Sequence, residues 1–227
     1  MDWNPSVRER NPVDQYLYIT ILMNTKNTFI VLEGVEGSGK STQSQVLSQK
    51  LSSEGISNLL VREPGSTNTG EKIRALILEG CELNPLTELF LFSAARSELI
   101  QNEIIPALDS NTVVVCDRYI YSSFAYQGYA KGLNLDTVAK VNSIATSHIS
   151  PDLVFLLDIN PEVSFKRTKA NPRDRFEKES ISFHNSVRKG YLCLAESSQN
   201  TWHIIDAEKP SEIISEIIWQ KVITLLT

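Results

Sequence analysis

The stretch Gly34, Val35, Glu36, Gly37, Ser38, Gly39, Lys40, Ser41 most narrows what this chain can fold into. It follows the pattern G-x-x-x-x-G-K-[ST] and stands between the apolar run TFIVLE and a helical period through Val46, Leu47 and Leu51 that Gly55 stops. Glycines let such a loop wrap closely, so that its N–H groups point at phosphate oxygens. The helix that begins near Gly39 adds its positive end. Lys40 is placed to reach β- and γ-phosphates, and Ser41 to coordinate Mg²⁺. Residues Gly34 to Thr42 are therefore the candidate nucleotide-phosphate segment. A chance glycine loop with a surface lysine is the alternative, and it requires neither flanking element.

The rest of the chain repeats the alternation. Apolar runs SNLLVRE, TVVVCD, PDLVFLLDI and TWHIIDA read as four more strands. Helices are expected over EKIRALILEG, over the long run 84–110 with a bend before Pro106, over 119–130 and over 136–148. Further helices are expected from Pro161, from about Ser182 to Ser198, and over 210–226. Strands alternating with helices imply an α/β domain: a five-stranded parallel sheet with helices on both faces, the P-loop NTPase fold. NPRDRFEKES reads as an exposed polar loop, part of a short lid at about 169–180. Residues 28–227 form a single kinase-sized domain, and residues 1–27 an extension outside it.

Composition sets limits on partners. With 227 residues, 41% hydrophobic, the chain supports one sizeable core. A net charge of −5 argues against a nucleic-acid partner. No apolar run is long enough for a membrane span. Tyr16 to Met23 is apolar and follows Arg8 and Arg10, as in a signal peptide, yet Asp2, Glu9 and Asp14 are acidic and no small-residue cleavage site follows. Met23, just before the first strand, reads as a candidate initiator. Cys81, Cys116 and Cys193 are odd in number and far apart, without metal or disulfide spacing, which suits a reducing, cytoplasmic setting. His148, His184 and His203 are scattered and form no ligand cluster.

No N-K-x-D segment follows a strand, so a guanine-reading switch protein is not indicated. FIVLEGVEGSGKST, REPGST, LFLFSAARSELI, DRYIYSSFAYQGYAKG and DRFEKES instead come in the order and approximate spacing of bacterial thymidylate kinase. The chain resembles that family from about Phe29 to its C-terminus. The resemblance implies that Arg74 grips the acceptor's 5′-phosphate, which a guanidinium fork matches well. It implies that Phe92 stacks on thymine, although the residues alone allow a core role equally. Arg96, four residues on, is implied near the base or phosphate. Asp117 ends a strand beside the phosphate loop, where it acts on Mg²⁺ or caps the next helix. Arg118 sits at the phosphate junction. Ser123 and Gln127 are implied to contact the base, and Tyr126 to crowd the 2′ side of the sugar. Ser122 lies on the same helix.

Glu36, within the loop, is implied near the acceptor sugar or the Mg²⁺ environment. Some members carry an arginine where this chain has Gly37, and members without it place arginines in the late loop. Arg167, Arg173 and Arg175 are the candidates, with Arg173 or Arg175 preferred, against a solvated charge run as the alternative. Asp158 is implied as structural, and Asp206 and Ala207 as flanks of the adenine pocket. The implied reaction is ATP + dTMP → ADP + dTDP with Mg²⁺, and the implied assembly is a homodimer. The acceptor phosphate, with a second pKa of about 6, needs little help from a base. The rivals are a deoxynucleoside kinase, whose acceptor is a hydroxyl, and a non-catalytic nucleotide-binding domain on the same fold.

Overall fold

Five apolar runs become five parallel strands in the computed structural model, which describes residues 27–79, 82–168, 175–176, 178–197 and 201–227. The strands are β1 (Phe29–Glu33), β2 (Asn58–Arg62), β3 (Val113–Asp117), β4 (Leu153–Asp158) and β5 (Trp202–Asp206). Each falls inside the stretch the apolar pattern predicts. Their order across the sheet is β2-β3-β1-β4-β5. β1 is central, with Val31 opposite Cys116 on one side and Val154 on the other. All five of its residues are buried, as a parallel strand covered on both faces requires.

The helices are α1 (Lys40–Ser53), α2 (Asn68–Glu79), α3 (Pro85–Leu99), α4 (Ile105–Asp109), α5 (Ile120–Ser123), α6 (Leu135–Ala145), α7 (Pro161–Thr168), α8 (Ile181–Glu196) and α9 (Ser211–Leu226). Asn84, Asn134 and Ser180 cap α3, α6 and α8, each side-chain oxygen accepting a first-turn backbone N–H. The bend expected before Pro106 takes the form of a π-helical stretch, Ile100–Ile104, between α3 and α4. Proline lacks an N–H and crowds the carbonyl four residues back, and the wider turn absorbs this. Ile100 and Ile104 stay buried through the change. The helix expected over 119–130 is α5 followed by a second π-helical stretch, Phe124–Ala130.

The connection leaving β1 runs through α1 to β2, and the connection leaving β3 runs to β4 on the opposite side of β1. The winding therefore reverses between β1 and β3, and a crevice opens at their carboxyl ends. Residues 1–26, Cys81 and most of the expected lid at 169–180 lie outside the described residues. Among the described residues no helix is long and apolar enough to cross a membrane.

α8 lies against the second π-helical stretch, and Gly190 permits the approach. A Cβ there would meet Tyr129 Cβ at 2.9 Å. Gly190→Ala is expected to lower stability by about 1–3 kcal/mol through overpacking, read as a fall in the urea midpoint at unchanged slope.

Candidate active site

A cleft of about 270 Å³ occupies the crevice between β1 and β3. One end is formed by the loop after β1. Gly34 has φ 148°, and a Cβ on it would lie 2.6 Å from the Leu157 carbonyl oxygen, so no larger residue fits the turn. Gly39 caps α1 in a left-handed conformation. Lys40 Nζ folds back on this loop, donating to the Val35 carbonyl at 2.7 Å and to Ser38 Oγ at 3.3 Å. The Ser41 hydroxyl donates to Asp117 Oδ2. Asp117 Oδ1 is buried and accepts from no described residue. A hydroxyl beside an unsatisfied carboxylate oxygen is a donor set that suits a small hard cation.

Arg118 stands between the two ends of the cleft. Its backbone is left-handed (φ 74°) and its N–H donates to the Leu32 carbonyl, which ties the turn after β3 to β1. Its guanidinium donates to the Gly34 carbonyl, Ser122 Oγ and Tyr191 Oη, and pairs with Glu36 at 3.0 Å. Glu36 also accepts the Tyr126 hydroxyl at 2.5 and 2.6 Å, and His184 Nδ1 lies 3.5 Å away. Burial works to raise the Glu36 carboxyl, but Arg118, His184 and Lys40 outweigh it and hold it well below the usual range.

The other end of the cleft is built for a flat polar group. Phe92, Tyr126 and Phe176 form an aromatic corner, with ring centroids 6.1 Å apart for Phe92–Phe176 and 5.7 Å for Tyr126–Phe176. Ser123 and Gln127 line the cleft beside it, and Arg74 closes the side, donating to the Pro64 carbonyl at 2.9 Å. The expected residues Glu36, Lys40, Ser41, Arg74, Phe92, Asp117, Arg118, Ser123, Tyr126 and Gln127 are thus gathered around one space.

Three arginines are placed differently from expectation. Arg96 is 1% exposed and lies beneath the cleft. It pairs with Glu63 at 2.8 Å and donates to Asn142 Oδ1, Ser123 Oγ and the Tyr119 carbonyl. Its guanidinium is spent on holding the floor, because α3 buries the face on which it lies. Arg167 donates to the Ala207 carbonyl at 2.8 Å. Arg175 reaches Glu88 at 2.8 Å, at the aromatic end rather than over Lys40. Arg173 lies outside the described residues. Asp158 forms a two-pronged pair with Arg188, both contacts 2.7 Å, in keeping with a structural role.

Sequence reasoning missed four residues: Glu33, Glu88, Phe176 and His184. Glu33 is the last residue of the central strand and fully buried; an acid closing a strand otherwise apolar was its signal. It accepts from Tyr119 N, Ser122 N, Ser122 Oγ and Tyr191 Oη. Burial pushes its carboxyl up, opposed by Arg118. Glu88 shares the register of Phe92 and Arg96 on α3, four residues apart, which was its signal.

A family model described as thymidylate kinase matches residues 32–218, which include every residue that lines this cleft. The chain belongs to the thymidylate kinase family. It is 44% identical to the thymidylate kinase of Dehalococcoides mccartyi (strain 195) over 200 residues, covering 87% of this chain and 97% of the relative. It is 42% identical to that of Caldanaerobacter subterraneus over 182 residues, covering 80% and 88%. Among solved structures, thymidylate kinase from Ehrlichia chaffeensis superposes with a TM-score of 0.72 at 30% identity, covering 88% of this chain and 99% of that one. The five-stranded parallel sheet and its helices are accordingly the P-loop fold of thymidylate kinases.

Lys40 supplies a pH prediction. Burial, then Arg118, pushes its ammonium down to about 8, against the opposite pull of Asp117, Glu36 and Glu33. A bound polyphosphate favours the charged form and raises the value again. Binding of a nucleoside triphosphate at about pH 8.5 is expected to take up a proton, an uptake that fades towards about pH 7 where Lys40 is already charged. Calorimetry in buffers of different ionisation enthalpy reads this directly, and a binding enthalpy independent of buffer at the higher pH contradicts it.

Proposed function

We propose that the protein transfers the γ-phosphate of ATP to dTMP, giving ADP and dTDP, with Mg²⁺ held by Ser41 and Asp117. One observation carries the reading: a phosphate loop and an aromatic–amide pocket open into the same cleft, with Arg118 between them. The unsatisfied Asp117 Oδ1 beside the Ser41 hydroxyl fits the cation. Bound Mg²⁺ supplies charge neutralisation between the donor phosphates.

The protein's own groups position and neutralise. Backbone N–H groups of residues 34–42 cradle the donor phosphates, and Lys40 leaves the Val35 carbonyl for them. Arg118 faces the phosphate in transit, where charge develops. Arg74 holds the acceptor's 5′-phosphate from the side. Phe92 stacks on the base, Ser123 and Gln127 meet its polar edge, and Tyr126 with Glu36 occupies the 2′ side of the sugar. Arg96 contributes from below by fixing Ser123. An arginine of the late loop, Arg173 or Arg175, completes the clamp over the donor; for Arg175 this requires release from Glu88. No side chain is needed as a base, since the acceptor oxygen is already ionised at neutral pH.

The deciding experiment is Mg²⁺-dependent ADP release from ATP with dTMP, dUMP, dCMP, AMP and thymidine. Preference for dTMP is expected, with dUMP reduced by about 10–200-fold for its missing methyl group. Turnover of thymidine without dTMP would make the protein a deoxynucleoside kinase instead. Lys40→Met and Asp117→Asn are each expected to lower kcat by at least ~100-fold, with circular dichroism unchanged.

A homodimer completes the proposal. Leu86 and Phe90, one turn apart on α3, are exposed, Phe90 by 54%, and Ile144 on neighbouring α6 is 81% exposed. Large apolar side chains along adjacent helices suit burial against a second copy. Phe90→Glu is expected to shift the protein to monomer in sedimentation velocity at micromolar concentration. The free thiols Cys116 and Cys193 suit a cytoplasmic enzyme.

A further inference from the structure

We propose that Glu88 sets the base selectivity of the cleft by fixing which way the Gln127 amide faces. Glu88 touches no ligand in this account. It is a positioning residue, and the inference rests on the proposed seat of the acceptor base against Phe92, Ser123 and Gln127.

Glu88 has no exposed surface although it sits in the first turn of α3. Its Oε1 is 2.6 Å from Lys131 Nζ and 2.8 Å from Arg175 Nη2. Its Oε2 accepts from Gln127 Nε2 at 3.2 Å. A carboxylate faced by two cations is an acceptor only. Gln127 must therefore turn its NH₂ towards Glu88. A flipped amide would set oxygen against oxygen beside a carboxylate that has no exposed surface. With the nitrogen so placed, Oε1 is the atom left for the cleft, and among the described residues no donor claims it.

An acceptor fixed at that point selects among pyrimidines. Thymine and uracil carry a hydrogen on N3 and an acceptor at C4, so N3–H donates to Oε1 and the second hydrogen of Nε2 is free for the C4 oxygen. Cytosine carries a lone pair on N3 and a donor at C4, the reverse pattern. It would set its N3 lone pair against Oε1, and only a flipped amide could receive it. Glu88 forbids the flip. The same device is blind to the 5-methyl group, so it divides thymine and uracil together from cytosine. Lys131 belongs to the device, because its ammonium pairs with Glu88 Oε1 at 2.6 Å and leaves Oε2 to the amide.

Two variants test this through ratios of kcat/KM, with wild-type protein as reference. Glu88→Gln replaces the obligate acceptor by a group that also donates, so Gln127 is released to face either way. The preference for dTMP over dCMP is expected to fall by about 10-fold or more, while the preference for dTMP over dUMP stays within about twofold. Gln127→Met removes the oriented amide and is expected to lower the dTMP/dCMP ratio similarly, again sparing dTMP/dUMP. Adding Glu88→Gln to Gln127→Met is then expected to change neither ratio further.

A folded Glu88→Gln protein that keeps the wild-type dTMP/dCMP ratio overturns the proposal. So does a fall of both ratios together, which marks general damage to the pocket. If Glu88→Gln fails to fold, Gln127→Met decides alone: an unchanged dTMP/dCMP ratio overturns the idea, and a selective fall supports it. Wild-type protein that turns over dTMP with no preference over dCMP would sink this inference while leaving the thymidylate kinase reading intact. Absence of any dTMP turnover would sink that reading itself.

Discussion

Glu33 is a carboxylate with no route to water, and the charged end of the sheet is arranged around satisfying it. Burying such a group without partners would be prohibitive, so donors must converge on it. Four do: two backbone N–H groups after β3, the Ser122 hydroxyl and the Tyr191 hydroxyl from α8. These bonds join the end of the central strand, the turn after its neighbour and a helix from late in the chain. The turn in question carries Arg118 in its left-handed conformation, and Ser122 and Tyr191 also receive the Arg118 guanidinium. The position of the cation at the middle of the cleft thus follows from the needs of the buried acid beneath it.

The same logic recurs towards each end of the cleft. Glu36 gathers Arg118, Tyr126 and His184, and its carboxyl is held ionised by them. Glu63 pairs with Arg96 in the floor; burial lifts its carboxyl to about 7 against the pull of that arginine. Glu88 gathers Lys131, Arg175 and Gln127. Each buried acid fixes cationic or amide groups that would otherwise have several rotamers. Preorganisation of this kind matters most where the chemistry is positioning and charge neutralisation, because no reorganisation is then required during transfer.

Much of this was legible in the chain and some was not, for physical reasons. The phosphate loop declares itself because glycine, lysine and serine must occur at set spacing between a strand and a helix. The five strands declare themselves because strands covered on both faces need continuous apolar runs. The π-helical stretches did not, because a single wider turn leaves the apolar spacing of 100–104 and 124–130 almost unchanged. Arg96 was expected near the base or phosphate from the family resemblance. Burial by α6 and the turn after β3 is a tertiary fact that no spacing reveals. Glu33 and Glu88 each carried a sequence signal that was passed over for the same reason: an acid looks solvated until the rest of the fold surrounds it. The reversal of winding that locates the crevice follows from strand order, which the alternating pattern leaves open.

Strand order also has a consequence for how the molecule is made. Strand β1 pairs with β3 and with β4, so Ile30 waits for Val115 on one side and Leu153 on the other. A growing chain emerges N-terminal end first. The phosphate loop and its strand therefore leave the ribosome long before either neighbour exists. Until β4 has been synthesised, this apolar strand presents an unpaired edge, the kind of edge that invites pairing with another chain. The central seat that shields the loop in the finished enzyme leaves its strand waiting for two later neighbours during synthesis.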